Sequence, residues 1–380
     1  MHSIRLSTIS VFLTLALSAA NAISAGELAE LTAELREATG VPGLGAVTVS
    51  ADGIEDRAVT GVRAKGSEAA IELDDPWHLG SNGKAMTAVL AAVLVDKGLI
   101  DWDDAVTDHL SDLNVEVHAD WRFATLTQLL THCSGLPANV SRLKMISLAG
   151  TDDDRDATAD RRDYAEAVLG DPPLHEPGSR FVYSNAGYVV AGAMLEAASG
   201  EPFADLMRKH VFEPLGMTSA GTGPPGSADK LDSPRGHRPG LLGFGPVKPG
   251  ALADNPPALT PAGRFHMTLA DYGRFLAEVI RGNRGDGRLL DQAAHRFLVE
   301  PGCSDDYAKG WGVADGRLAH AGSNTMWLVM ARVDLGQGLA AAIASNDGRL
   351  DRQRQEFGDA LDAILDPGDE REREPSGTDR

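Results

Sequence analysis

The sequence predicts an α+β fold: an antiparallel sheet built from both termini, flanked by helices, with a mainly helical insertion subdomain between. Three observations predict it. Short Val/Ala-rich runs stand near the start, at Gly45 to Ser50 and Arg57 to Val62, separated by Asp52-Gly53. The same β-like pattern returns late, from 307 to 346, with turns at Asp315-Gly316 and Gly336-Gln337-Gly338. Between them the apolar residues recur at helical spacing. Strands at both ends of a chain close into one sheet, and the insertion then leaves a cleft where a ligand can sit.

The elements follow in order. Residues 1–25 read as a secretory signal: Arg5 gives the positive start and Val11 to Leu17 a short apolar run. Ala20-Asn21-Ala22 or Ile23-Ser24-Ala25 supplies the small-residue cleavage site. The run is short for a bilayer span, so a retained anchor is the lesser reading, and no stable membrane insertion is expected once the signal is gone. Glu27 to Thr39 places Leu28, Leu31 and Leu35 on one helical face, and Gly40 stops it. A second helix starts at Ser81 and runs to about Lys97, before Gly98. Leu99 to Leu110 reads as a loop and short turn. Thr125 or Thr127 caps a short helix that ends at Gly135.

The stretch 151–163 reads as a charge-rich loop or a polar helix start. Asp152, Asp154 and Asp156 mimic the opening of a calcium loop, but Ala157 and Asp163 stand where Gly and Glu are needed, and a solvated face fits better. Helical patterns cover 186–199, 202–210 and 268–281. Residues 221–263 are rich in Gly and Pro and form a long irregular excursion. A helix from about 351 to 365 ends the fold, and 367–380 reads as a disordered tail. The folded domain therefore spans 26–366. Its sheet part covers about 26–80 and 265–366, and its helical or irregular part about 81–264.

Composition bounds the function. The chain has 380 residues, 43% of them hydrophobic, enough for a sizeable core. A formal charge of −20 argues against a nucleic-acid partner, which would want a basic face. Cys133 and Cys303 can pair in an oxidising compartment or remain two buried thiols; two cysteines make no framework. Neither has metal-ligand spacing, there is no H-E-x-x-H, and no metal or organic cofactor is expected. The absence of G-x-S-x-G argues against an α/β-hydrolase elbow. Trp311 and Trp327 read as core rather than pocket residues. Nothing in the sequence sets an oligomeric state.

Chemistry concentrates in three motifs. Ser81-Asn82-Gly83-Lys84 puts a hydroxyl and an amine at i and i+3, on one helical face beside a positive helix end. A serine nucleophile with a lysine partner needs that arrangement, though a simple cap and a surface lysine give the same spacing. Tyr183-Ser184-Asn185 projects a phenol and an amide to one side of an extended segment, unless Tyr183 merely packs and Ser184 or Asn185 merely caps. His320-Ala321-Gly322 precedes an apolar strand, and Gly322 lets a ligand approach the backbone.

In this order S-N-G-K, Y-S-N and H-A-G resemble the serine β-lactamase-related family: class C β-lactamases, D-alanyl-D-alanine carboxypeptidases, D-aminopeptidases and family VIII-type carboxylesterases. G-L-I-D-W-D-D-A-V, L-T-Q-L-L-T-H-C-S-G-L-P, E-P-G-S-R-F-V-Y-S-N-A-G-Y, P-L-G-M-T and P-A-G-R-F-H-M-T-L-A-D are similar to family signatures, over roughly residues 27–365. The signal-like start implies an exported, periplasmic or secreted protein, and the resemblance implies a serine hydrolase with a small-molecule or peptide substrate. It implies Ser81 as nucleophile of an acyl-enzyme, Lys84 assisting, and Tyr183 as general base and proton relay. Asn185 would bind a substrate amide or carbonyl, and the N–H groups of Ser81 and Ser323 would form the oxyanion hole. The third motif departs from the Lys-Thr-Gly or Lys-Ser-Gly of β-lactamases and penicillin-binding proteins. His320 is charged only part of the time near neutral pH, which weakens carboxylate recognition. Esters or neutral amides are the expected substrates. The alternatives are a D-alanyl-D-alanine carboxypeptidase or β-lactamase and, from another class, a non-turnover β-lactam or cell-wall sensor.

Overall fold

The computed structural model describes residues 25–149, 157–240 and 243–366. The signal reading, the Asp152–Asp156 stretch and the tail from 367 lie outside the described residues. Six antiparallel strands form the main sheet: β1 (Gly43–Ser50), β2 (Gly53–Gly61), β3 (Gly312–Ala314), β4 (Arg317–Gly322), β5 (Leu328–Asp334) and β6 (Leu339–Ser345), in the order β2-β1-β6-β5-β4-β3. The two chain ends meet at its centre, where Leu44 pairs with Ser345 and Ser50 with Leu339.

Alternation along the strands decides what covers each face. Leu44, Ala46, Ala341 and Ile343 point to one side and are sealed by helix α1 (Ala25–Thr39) and a C-terminal helix (Arg354–Leu365), through Leu28, Leu35, Phe357 and Leu361. Val47, Val49, Ala340, Ala342 and Ala344 point to the other side, toward Tyr272, Phe275 and Leu276 of a helix at Leu269–Arg284. Thr268 caps that helix by accepting from Asp271 N–H at 3.1 Å, and Gly285 ends it at φ +99°.

The insertion packs onto the second face through helix α2 (Gly83–Asp96), whose residues 83–94 are all buried, and helix α3 (Asn185–Ser199). Thr125 is the cap of the short helix Leu126–Leu130, in a reciprocal pair with Gln128. Several readings change. Residues 99–110 contain a short helix, Val106–His109, held by Asp108 accepting from Ala105 N–H at 2.8 Å. Gln292–Val299 is a helix that the sequence reading left unassigned. Residues 157–169 form a helix, in keeping with the polar helix start, and Asp163 pairs with Lys144 at 2.7 Å, in keeping with a solvated face over a calcium loop. The 221–263 excursion carries a small hairpin, His237–Gly240 with Gly243–Pro246. Trp311 and Trp327 are core residues, and Trp327 meets Trp77 edge to face at 6.1 Å.

Cys133 and Cys303 form a disulfide across 170 residues of sequence, which resolves the alternative left open above. It ties the insertion to the segment that enters β3. No described helix is long and apolar enough to cross a membrane.

Candidate active site

The site forms where α2, α3 and the end of β4 converge. Ser81 sits in the middle of a single 3-10 turn, 80–82, that runs into α2. Gly80 takes φ +52°, and a Cβ there would overlap Ser323 N, so the turn lies directly against the chain after β4. No side chain caps α2. Asn82 is turned inward instead, donating to Leu79 O at 3.0 Å and Val329 O at 2.9 Å.

Lys84 is fully buried, one turn into the same element. Its Nζ lies 3.0 Å from Ser81 Oγ, 2.8 Å from Asn185 Oδ1 and 2.6 Å from Ala262 O. Burial pulls its pKa down to about 7. The Ala262 and Asn185 oxygens are obligate acceptors. A neutral Lys84 therefore spends both N–H groups on them, and its lone pair faces the Ser81 hydroxyl.

Tyr183 is more than a third exposed, with its ring centroid 5.0 Å from Lys84 Nζ. Burial pushes its pKa up to about 12 against the opposing pull of the Ser81 hydroxyl, so it rests as the neutral phenol. Asn185 is the first residue of α3, and Ser184 is the cap, accepting from Gly187 N–H at 2.9 Å. Asn185 Nδ2 donates to Asn139 Oδ1 at 3.1 Å, which fixes its oxygen toward Lys84.

His320 stands on β4, with Tyr307 6.3 Å away edge to face. Burial, reinforced by the Lys84 charge, pulls its pKa to about 3 against the hydrogen bond that its ring N–H donates to the Gly310 carbonyl. It is therefore neutral throughout the physiological range rather than partly charged. Gly322 ends β4 against Leu79 and Asn82, and a Cβ there would overlap Leu79 O. Ser323 follows, touching Gly80. The structure thus brings Ser81, Lys84, Tyr183 and Asn185 together and sets Gly322 and Ser323 against the 80–82 turn, with His320 on the same strand as Gly322.

Other residues complete it. His132, at φ +61°, flanks Tyr183 from both sides: its carbonyl accepts from Val182 N–H at 2.9 Å and its Nδ1 from Ser184 N–H at 3.1 Å. With Nδ1 accepting, Nε2 carries the proton and donates to Tyr307 Oη at 3.2 Å. Burial first, then the Lys84 and His320 charges, holds His132 well below its ordinary pKa. Its place in T-H-C-S-G-L was visible in the sequence, but nothing local gave it a task. Ala262 lies in the P-A-G-R-F signature, but nothing local gave its carbonyl a task. Among the described residues no cluster could hold a metal ion.

An α+β sheet closed by both termini, with Ser-x-x-Lys, Tyr-x-Asn and His-x-Gly meeting at its edge, defines the class of β-lactamase and penicillin-binding folds. The chain belongs to the Beta-lactamase family, whose sequence profile matches residues 28–364. This is in general a family of serine hydrolases. Penicillin-binding protein 4 of Amycolatopsis lactamdurans is 30% identical over 330 residues, covering 83% of each chain. The octameric penicillin-binding protein homologue from Pyrococcus abyssi superposes with a TM-score of 0.72 at 20% identity, over 90% of this chain and 77% of that one. A D-stereospecific amidohydrolase from Streptomyces sp. gives 0.65 at 22% identity, over 87% and 98%. These two structures share the fold.

Proposed function

We propose that the protein is an exported serine hydrolase that works through an acyl-enzyme on Ser81, on esters or on neutral amides and peptides. The observation that carries this is the Lys84 environment: a buried amine near pKa 7 whose two short contacts are to obligate acceptors and whose third, at 3.0 Å, is the Ser81 hydroxyl.

In this reading neutral Lys84 takes the Ser81 proton as Oγ attacks the substrate carbonyl carbon. The carbonyl π electrons move to oxygen, held by the N–H groups of Ser81 and Ser323; one such donor is worth about 3 kcal/mol of barrier. The neutral Tyr183 phenol then gives its proton to the leaving group as the carbon–leaving-group bond breaks, and is reprotonated from Lys84. Water attacks the acyl-enzyme along the reverse proton path and frees Ser81. The resemblance gave Tyr183 the base role. The two pKa values favour the opposite division, with the lysine as base and the phenol as acid.

A neutral His320 offers no charge to a substrate carboxylate, which favours esters and neutral amides over D-alanyl-D-alanine ends and penicillins. The likeness to penicillin-binding protein 4 supports the carboxypeptidase or β-lactamase reading instead. The disulfide supports export to an oxidising compartment.

The test sets p-nitrophenyl acetate beside nitrocefin, with Ser81→Ala as control. Ester turnover that vanishes in Ser81→Ala, with slow nitrocefin cleavage, supports the proposal. Rapid nitrocefin turnover supports the β-lactamase alternative. Stoichiometric fluorophosphonate labelling without any turnover supports the sensor. A Ser81→Ala protein as active as its parent removes Ser81 from the mechanism.

A further inference from the structure

The 221–263 excursion reaches the catalytic turn at one buried carboxylate, Asp254, whose side chain is 2% exposed. Its two oxygens divide their partners between two stretches of chain. On one side Oδ2 lies 2.8 Å from His78 Nε2, and His78 is completely buried. His78 Nδ1 accepts the N–H of Gly80, the residue before Ser81, at 3.1 Å. That bond sets the tautomer: Nε2 carries the proton and donates it to Asp254. On the other side Oδ1 accepts from Asn324 Nδ2 at 3.2 Å, and Asn324 is the residue after Ser323. Asn324 Oδ1 in turn accepts from Met326 N–H at 3.2 Å, which fixes the amide's orientation.

We infer that Asp254 is a positioning residue that clips together the backbones of Ser81 and Ser323, through His78–Gly80 on one arm and Asn324 on the other. This rests on the proposed hydrolase reading, in which those two residues supply the oxyanion donors. Each donor lies one residue from an arm of the clip. The two runs also touch directly, since Gly80 has no room for a Cβ beside Ser323 N.

The arrangement requires a carboxylate. Three hydrogen-bond donors converge on it, His78 Nε2–H, Asn324 Nδ2 and the Asn255 N–H at 2.8 Å, and the Arg264 guanidinium forms an ion pair with it at 3.4 Å. Burial opposes the charge, but His78 and Arg264 outweigh it and hold the Asp254 pKa below the ordinary carboxylate range. An amide has one accepting oxygen where the carboxylate has two. In Asp254→Asn an NH2 group must face a donor on one arm. Facing His78, it drives the ring to the other tautomer, and Nδ1–H then opposes Gly80 N–H. Facing Asn324, it opens the second arm. A loosened hole loses transition-state stabilisation more than substrate binding.

The experiment measures kcat and KM for p-nitrophenyl acetate and its thiono analogue, in the parent, Asp254→Asn and Asn324→Ala. Oxyanion donors bind a developing O⁻ better than a developing S⁻, so the oxygen-to-sulfur rate ratio reads the hole itself. The expected result is a fall in kcat of about tenfold or more for the oxygen ester, a change of KM within about twofold, and a smaller oxygen-to-sulfur ratio. Asn324→Ala carries no charge change and stands in if Asp254→Asn does not fold. Rates that fall equally for both esters, or variants with parental kcat, overturn the clip and leave the hydrolase reading intact. A parent that neither turns over an ester nor labels at Ser81 overturns both.

Discussion

Lys84 Nζ lies 3.0 Å from Ser81 Oγ and only 2.6 Å from the carbonyl of Ala262, a residue 178 positions away. The lysine is thus aimed at the serine by a distant stretch of backbone as well as by its own helix.

That relationship fixes a pH dependence. In the proposed mechanism the reactive form is neutral Lys84, which burial makes available from about pH 7 upward. kcat/KM should rise about tenfold per pH unit below 7 and level off above it. Tyr183, near 12, adds no alkaline limb in the working range. A pH–rate profile checks this, and a flat profile through pH 7 would exclude Lys84 as the base.

The same shift predicts a stability effect. Between about 7 and 10.5 the unfolded chain binds a proton at Lys84 that the folded chain declines. Stability therefore rises with pH across that window, by up to about 1.4 kcal/mol per unit from this group. Below about 7 both states hold the proton and the penalty is constant. Lys84→Met should remove the slope. Urea melts of both proteins at the two ends of the window test it, and identical slopes would contradict it.

His320→Lys should restore a cation to the cleft. The expected outcome is about tenfold higher kcat/KM on a carboxylate-bearing substrate such as nitrocefin, about what one hydrogen bond to a charged group supplies, with little gain on a neutral ester. Equal changes on both substrates would mean that this position does not read substrate charge.

The Cys133–Cys303 bond closes a very long loop. Removing it by Cys303→Ala, at an exposed position, should cost about 4–5 kcal/mol in the chain-entropy picture. Dithiothreitol should lower the melting temperature of the parent and leave the variant unmoved. Because Cys133 adjoins His132, which holds both neighbours of Tyr183, the loss should also lower activity. A parent indifferent to reductant would show that the bond carries no stability.

Much of this protein is written locally. The Val/Ala-rich runs of β1 and β6, the Gly98 stop after α2, the Thr125 cap and the i,i+3 placement of Ser81 and Lys84 depend on residues within a turn or two of each other, so the sequence displays them. The helix Gln292–Val299 escaped because it is short and buries only His295 and Leu298.

What the tertiary structure alone decided comes from pairs far apart in the chain. Cys133 meets Cys303, Ala262 meets Lys84, and Asp254 meets both His78 and Asn324. The Lys84 and His320 protonation states belong here too, because burial sets them and burial is a property of the packed whole. The sequence by itself determined which functional groups exist and which local elements carry them. Only folding determined their charge and aim, since both depend on neighbours that no local pattern can specify.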